Sequence, residues 1–199
     1  MKSFLAEPLR AFLLGCAIAA LGLIMWMADG NGDDLGLISF LSRLVHVGAA
    51  MLWIGMIWFV NFIQLIALRE MDEAGQSMLL THIVPRVTRL FSIASHVVLA
   101  SGAILLLTTG YLFDRWVFPS SVYIPPSRVI MLWLGTIAGL AMWVLVHTVI
   151  RPGIAVLLDQ TRNSAEVAEA RQRIAMAARI NLVLAAPVTF AMVAAAHLY

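Results

Sequence analysis

Five long apolar runs alternate with short polar segments along the chain. They lie at roughly 9–28, 37–67, 88–111, 129–150 and 178–198, each long enough to cross the ~30 Å hydrocarbon core of a bilayer as a helix. The second is longer than one crossing requires and should tilt or project beyond the membrane. The first has too long an apolar core for a cleaved signal peptide, and no small-x-small site follows Met27, so it is expected to remain as a helix. The pattern predicts an all-α integral membrane protein. Its expected form is a five-helix transmembrane bundle, one domain over 1–199 without linker or low-complexity tract.

Composition agrees with the pattern. The chain is 62% hydrophobic and 12% charged, with a mean hydropathy of +0.93, far from a soluble domain of this length. A net charge of +2 calls for no nucleic-acid partner; the cations serve better as a topology signal. With the N-terminus cytoplasmic, only Arg43, Arg115 and Arg128 of the 13 Lys/Arg fall outside, which satisfies the positive-inside rule and puts the C-terminal Tyr199 on the periplasmic side. The segment 69–87 is amphipathic around Met78-Leu-Leu-Thr-His82 and is expected to lie on the membrane surface before Pro85. The outer loop 112–128, with Trp116, Tyr123 and Pro125-Pro126, reads as an interfacial cap. The inner loop 151–177 should extend the fourth and fifth helices into the cytoplasm.

Polar groups inside the spans are costly and mark candidate chemistry. Four of the five histidines fall in spans, one on each of helices two to five. Depth sorts them into an outer pair, His46 and His197, and an inner pair, His96 and His147, with the layers roughly 15–25 Å apart. Paired imidazoles from different helices are what a six-coordinate b-type haem requires, so one or two haems b are expected. Arg43, Arg89 and Arg151 stand on the faces of His46, His96 and His147 toward the nearer surface, where haem propionates need cations. Gly48-Ala49-Ala50 and Ala194-Ala195-Ala196 leave space beside the ligands. Gly135, Gly139, Trp143 and His147 form a stripe at four-residue spacing, and Gly135-x-x-x-Gly139 is also a close-packing signal. The plain alternative for each histidine is a hydrogen-bonded packing residue, and for each arginine a membrane-edge cation that snorkels. His82 reads as structural.

Other chemistries lack a pattern. The lone Cys16 excludes a disulfide framework, a thiolate zinc site and c-type haem attachment. There is no H-E-x-x-H, no phosphate-binding glycine loop and no nucleophile triad. The 11 methionines are scattered rather than clustered for copper. Asn61 and Gln64, at the inner end of the second helix, could line a quinone or proton site. Gln64 lies eighteen residues from His46 and so shares its face on a regular α-helix.

The run Trp53-Ile-Gly55-Met-Ile-Trp-Phe-Val-Asn61-Phe-Ile-Gln64, with His46 seven residues before Trp53, resembles the N-terminal integral-membrane domain of bacterial membrane-bound, cytochrome c-fused urate oxidases and their stand-alone relatives. Val149-Ile150-Arg151-Pro152, then Arg179-Ile-Asn181, Ala186-Pro187-Val-Thr-Phe190-Ala-Met192 and His197, extend the resemblance over helices two to five. It implies a respiratory-linked module of the bacterial inner membrane, with His46 and His197 as the ligand pair, Trp53 and Gly55 in the motif, and electron transfer toward cytochrome c or the quinone pool. It does not carry over His96 or His147, and with neither a cytochrome segment nor a soluble domain read in residues 1–199, urate chemistry is not expected of them. A weaker similarity is to haem-binding membrane protoporphyrinogen oxidases.

The expected function is therefore a membrane-embedded b-type cytochrome subunit. It would pass electrons between a periplasmic redox partner and quinone or an inner partner, among membrane lipid and other subunits of a redox complex or a cytochrome c. A haem-dependent porphyrinogen- or urate-type oxidase, or a non-redox scaffold or transport subunit, is the alternative.

Overall fold

The computed structural model describes residues 7–28, 34–109, 125–159 and 161–197. Arg115, Trp116 and Tyr123, which belong to the expected outer loop 112–128, lie outside these residues, as does Tyr199. Among the described residues the chain is all-helical, with no strand. Five helices are long and apolar enough to cross a membrane: α1 (Pro8–Ala28), α2 (Gly36–Glu70), α3 (Glu73–Thr108), α4 (Pro126–Leu158) and α5 (Ser164–His197).

The fourth helix runs on to Leu158 and the fifth starts at Ser164, the extension expected of the segment 151–177, whereas the third begins about four turns earlier than hydropathy suggests. Asp72 caps α3, its carboxylate accepting from the Gly75 amide at 2.9 Å, so helix starts here and the expected surface segment becomes its first turns. Pro85 does not stop it. A π-helical turn over Leu79–Ile83 immediately precedes that proline, and another over Val146–Ile150 precedes Pro152. Proline lacks an N–H and crowds the preceding turn; the wider π turn gives it room. A third π turn, Val60–Gln64, lies in α2.

Contacts divide the chain into two compact units, Met1–Leu41 and Ser42–Tyr199. In the first, α1 buries none of its residues, and Trp26 stacks on Phe40 at 5.7 Å. In the second, one apolar layer joins four helices. Trp53, Met56 and Ile57 of α2 meet Phe91, Ala94 and Val98 of α3, Met142 and Val146 of α4, and Ala185 of α5.

The α4–α5 pair is an antiparallel hairpin built on small residues. A Cβ added to Gly135 would meet Met192, and one added to Gly153 would meet Ile174. Seven of the eight buried residues of α5 are alanines, and the eighth is Asn181. Without a hydrophobic drive between helices in lipid, such close backbone approach supplies the packing. Large apolar side chains such as Phe62, Val183 and Phe190 remain on the outside.

Candidate functional site

Ser92 organises the cluster between α3 and α4. Its carbonyl accepts from His96 Nδ1 at 2.7 Å and from the Ser95 hydroxyl at 2.8 Å. Its own hydroxyl stands 3.2 Å from His147 Nε2. His147 Nδ1 is 2.9 Å from the Trp143 carbonyl. A carbonyl can only accept, so Nδ1 carries the proton, Nε2 of His147 is the acceptor, and the Ser92 hydroxyl donates to it. The rings of His96 and His147 meet edge to face with centroids 4.6 Å apart, while Trp143 stacks on His147 at 4.5 Å.

His46 sits in a different place. Its Nδ1 lies 2.9 Å from the Val98 carbonyl of α3 and 3.3 Å from the Ser101 hydroxyl. Gly102 makes the seat, since a Cβ there would come within 3.0 Å of the ring. A bond across two helices fixes the imidazole plane and tautomer and leaves Nε2 unprotonated. Ligating histidines are held in this way. Ser92 and Val98, the α3 residues that meet His147 and His46, are six residues apart, about 9 Å along the axis. The layers are thus closer than hydropathy alone suggests.

His197 is exposed, with Nδ1 3.1 Å from the Val193 carbonyl one turn back. No hydrogen bond or ring contact joins it to His46 among the described residues. Arg43, Arg89 and Arg151 are all exposed and form no ion pair with a described carboxylate. His82 is exposed in the second π turn, its carbonyl accepting from Arg86. Trp53 is only 2% exposed and packs edge-on to Phe91 at 6.2 Å. Gly55 is exposed, with open space where a Cβ would stand.

Gln64 is buried at the end of the π turn Val60–Gln64, whose extra residue breaks the regular 3.6-residue count from His46. Gln64 and His46 both face α3, His46 at Val98 and Gln64 beside Val84, Val87 and Phe91. Gln64 joins Asn61 and Asn181 around a cavity of about 80 Å³. Ser92 and the convergence of Asn181 on this cavity escape sequence reasoning. The one signal was a lone asparagine in an otherwise alanine-rich buried stripe.

Among the described residues no group of three or more His, Cys, Asp or Glu side chains is placed to hold a metal ion. A haem brings its own ring nitrogens and asks for two imidazoles at most. Two imidazoles on one iron, each bonded at about 2 Å, stand with centroids about 6 Å apart and nitrogens facing. His96 and His147, at 4.6 Å and edge to face, occupy that space themselves, so the inner pair does not fit a haem unless one ring turns away. His46 fits better. Its proton is anchored, and Gly48 on its own helix has open space beside it. Gly139 is buried yet has nothing within 4 Å of a would-be Cβ, a gap one turn from Trp143. Comparison of the chain with protein-family models, characterised proteins and solved structures finds no match.

Proposed function

We propose that this chain is a haem-carrying, b-type cytochrome subunit of a multi-pass membrane redox complex, with one haem on His46. The observation that carries this reading is the His46–Val98 bond, which holds an intramembrane imidazole with Nε2 free. When bound, the haem supplies a one-electron Fe(III)/Fe(II) couple. His197 is the second ligand by the resemblance of its segment, and Arg43, one turn from His46, is the cation for a propionate. Trp53 and Phe91 pack against each other in the apolar middle of the unit. The His96–Ser92–His147 cluster supports the α3–α4 contact, each Nδ1 proton being bonded to a carbonyl.

In the proposed orientation the N-terminus is cytoplasmic and the chain lies in the bacterial inner membrane. Its redox partners are a periplasmic cytochrome c and other subunits of the complex, and the chain acts as an electron carrier rather than a self-contained enzyme. The test is a reduced-minus-oxidised spectrum with haem quantification on the purified protein. The expected result is one b-type haem per chain, lost in His46→Ala and kept in His82→Ala. A protein purified from haem-sufficient cells without haem overturns the reading.

A further inference from the structure

The three π turns share one cavity. Val60, Asn61 and Gln64 of the first, Leu80 of the second, and Val146 and Ile150 of the third all line it. Wide turns of this kind are frequent at functional sites. Asn181 of α5 completes the wall.

Four buried polar atoms in that wall lack partners. Asn61, Gln64 and Asn181 are 3%, 8% and 1% exposed. Asn61 Nδ2 is used, donating to the Ile57 carbonyl at 2.9 Å and the Ala178 carbonyl at 3.2 Å. Its Oδ1 is not, nor are Gln64 Oε1 or either side-chain atom of Asn181. Buried amides are normally satisfied, and leaving them bare is costly. An evolved helix seam that could have taken an eighth alanine instead carries Asn181.

Among the described residues no Asp, Glu, Lys, Arg or His lines the cavity, so it offers no charge to balance a phosphate, a carboxylate or an ammonium. Its chemistry is neutral, with acceptors and a donor set in an apolar wall that includes Phe91. An amide offers both a donor and an acceptor from one end. The same set can therefore receive a carbonyl or a hydroxyl at the same point. The volume of about 80 Å³ suits the polar edge of a ring rather than a whole large ligand. Leu65, Leu80, Ile154 and Ile174 in the wall are half-buried, so the rest of such a molecule can lie among side chains that reach the surface of the unit.

We propose that Asn61, Gln64 and Asn181 form the head-group site of a quinone and its quinol. This goes beyond the cytochrome reading and rests on the amide cavity, not on the haem. The experiment is calorimetric titration of the detergent-solubilised full chain with ubiquinone-1 and, separately, ubiquinol-1, with haem content measured on the same samples. Saturable binding near one equivalent is expected. Asn181→Leu and Gln64→Leu should each weaken it at least tenfold while the melting temperature stays level or rises, since each removes an unpartnered buried amide. Leu80→Trp, which fills the cavity without touching an amide, should weaken it as much and serves if an amide variant fails to fold. Absence of saturable binding by both forms overturns the proposal, as does unchanged affinity in the folded variants, which would mean that two or three waters satisfy the amides. Haem content bears only on the cytochrome reading, so the two can fail separately.

Discussion

His96 and His147 touch: their rings meet edge to face at 4.6 Å, and the Ser92 hydroxyl that donates to His147 belongs to the same turn of α3 whose carbonyl accepts from His96. This closed cluster behaves as a helix clamp rather than as a pair of free ligands. His147→Leu should therefore leave haem per chain unchanged. Pyridine haemochrome assay of the purified variant checks this, and a loss of haem relative to the unchanged protein would restore the inner pair as ligands. The same change should lower thermal stability by about 1–2 kcal/mol, because the Ser92 hydroxyl loses its acceptor in a buried setting.

Trp53 carries the centre of the core. It is 2% exposed between α2 and α3, against Phe91 at 6.2 Å. Trp53→Ala leaves a large void and should destabilise the protein by about 3 kcal/mol, the lower part of the range for large-to-small core changes, since the unfolded reference in lipid still hides the apolar surface. Trp53→Phe should cost clearly less. Thermal unfolding in a fixed detergent measures both.

The glycines of α4 should rank by what stands opposite them. A Cβ on Gly153 would come within 2.7 Å of Ile174 Cγ1, whereas on Gly135 it would meet the flexible Met192 at 3.0 Å, and on Gly139 it would meet nothing. Gly153→Ala is expected to destabilise by about 1–3 kcal/mol through overpacking. Gly135→Ala should cost less as Met192 moves. Gly139→Ala should be neutral or mildly stabilising to the apoprotein by its helix propensity. A melting series that puts Gly139→Ala lowest would contradict this order.

The α4–α5 turn should loosen in acid. The Asp159 carboxylate accepts from the Thr161 hydroxyl at 2.6 Å, the Thr161 amide at 3.0 Å and Arg162 at 3.1 Å. The Thr161 bonds, with a smaller contribution from Arg162, hold its pKa below the usual carboxylate value. A carboxyl group depressed in the folded state contributes stability above its unfolded pKa and loses it as pH falls through the folded one. Hydrogen exchange at the Thr161 amide should therefore show falling protection, after correction for the intrinsic rate, only below the ordinary aspartate range. In Asp159→Asn that pH dependence should vanish.

What could be read from the chain alone was local. Run length and hydropathy set the number of helices and their capacity to span a membrane, because both depend on the residues of one segment at a time. The helix on which each histidine lies is settled for the same reason. The boundary was less legible at 73–87: polar residues there look like a surface segment to a hydropathy window, yet Asp72 starts a helix and a π turn precedes Pro85.

The faces belong to tertiary structure. Each π turn adds a residue to the helical count, so positions beyond it depart from the faces that a regular α-helix would give them. Counting at 3.6 residues per turn cannot anticipate that departure. Depth also depends on how long helices slide and tilt, which brought the His46 seat to within about 9 Å of Ser92 along α3. The meeting of Asn61, Gln64 and Asn181 needed both effects together, since residues more than a hundred positions apart share one cavity only after two helices have packed in a definite register. Sequence therefore determined what each helix is made of, and packing decided which of its polar groups would face one another.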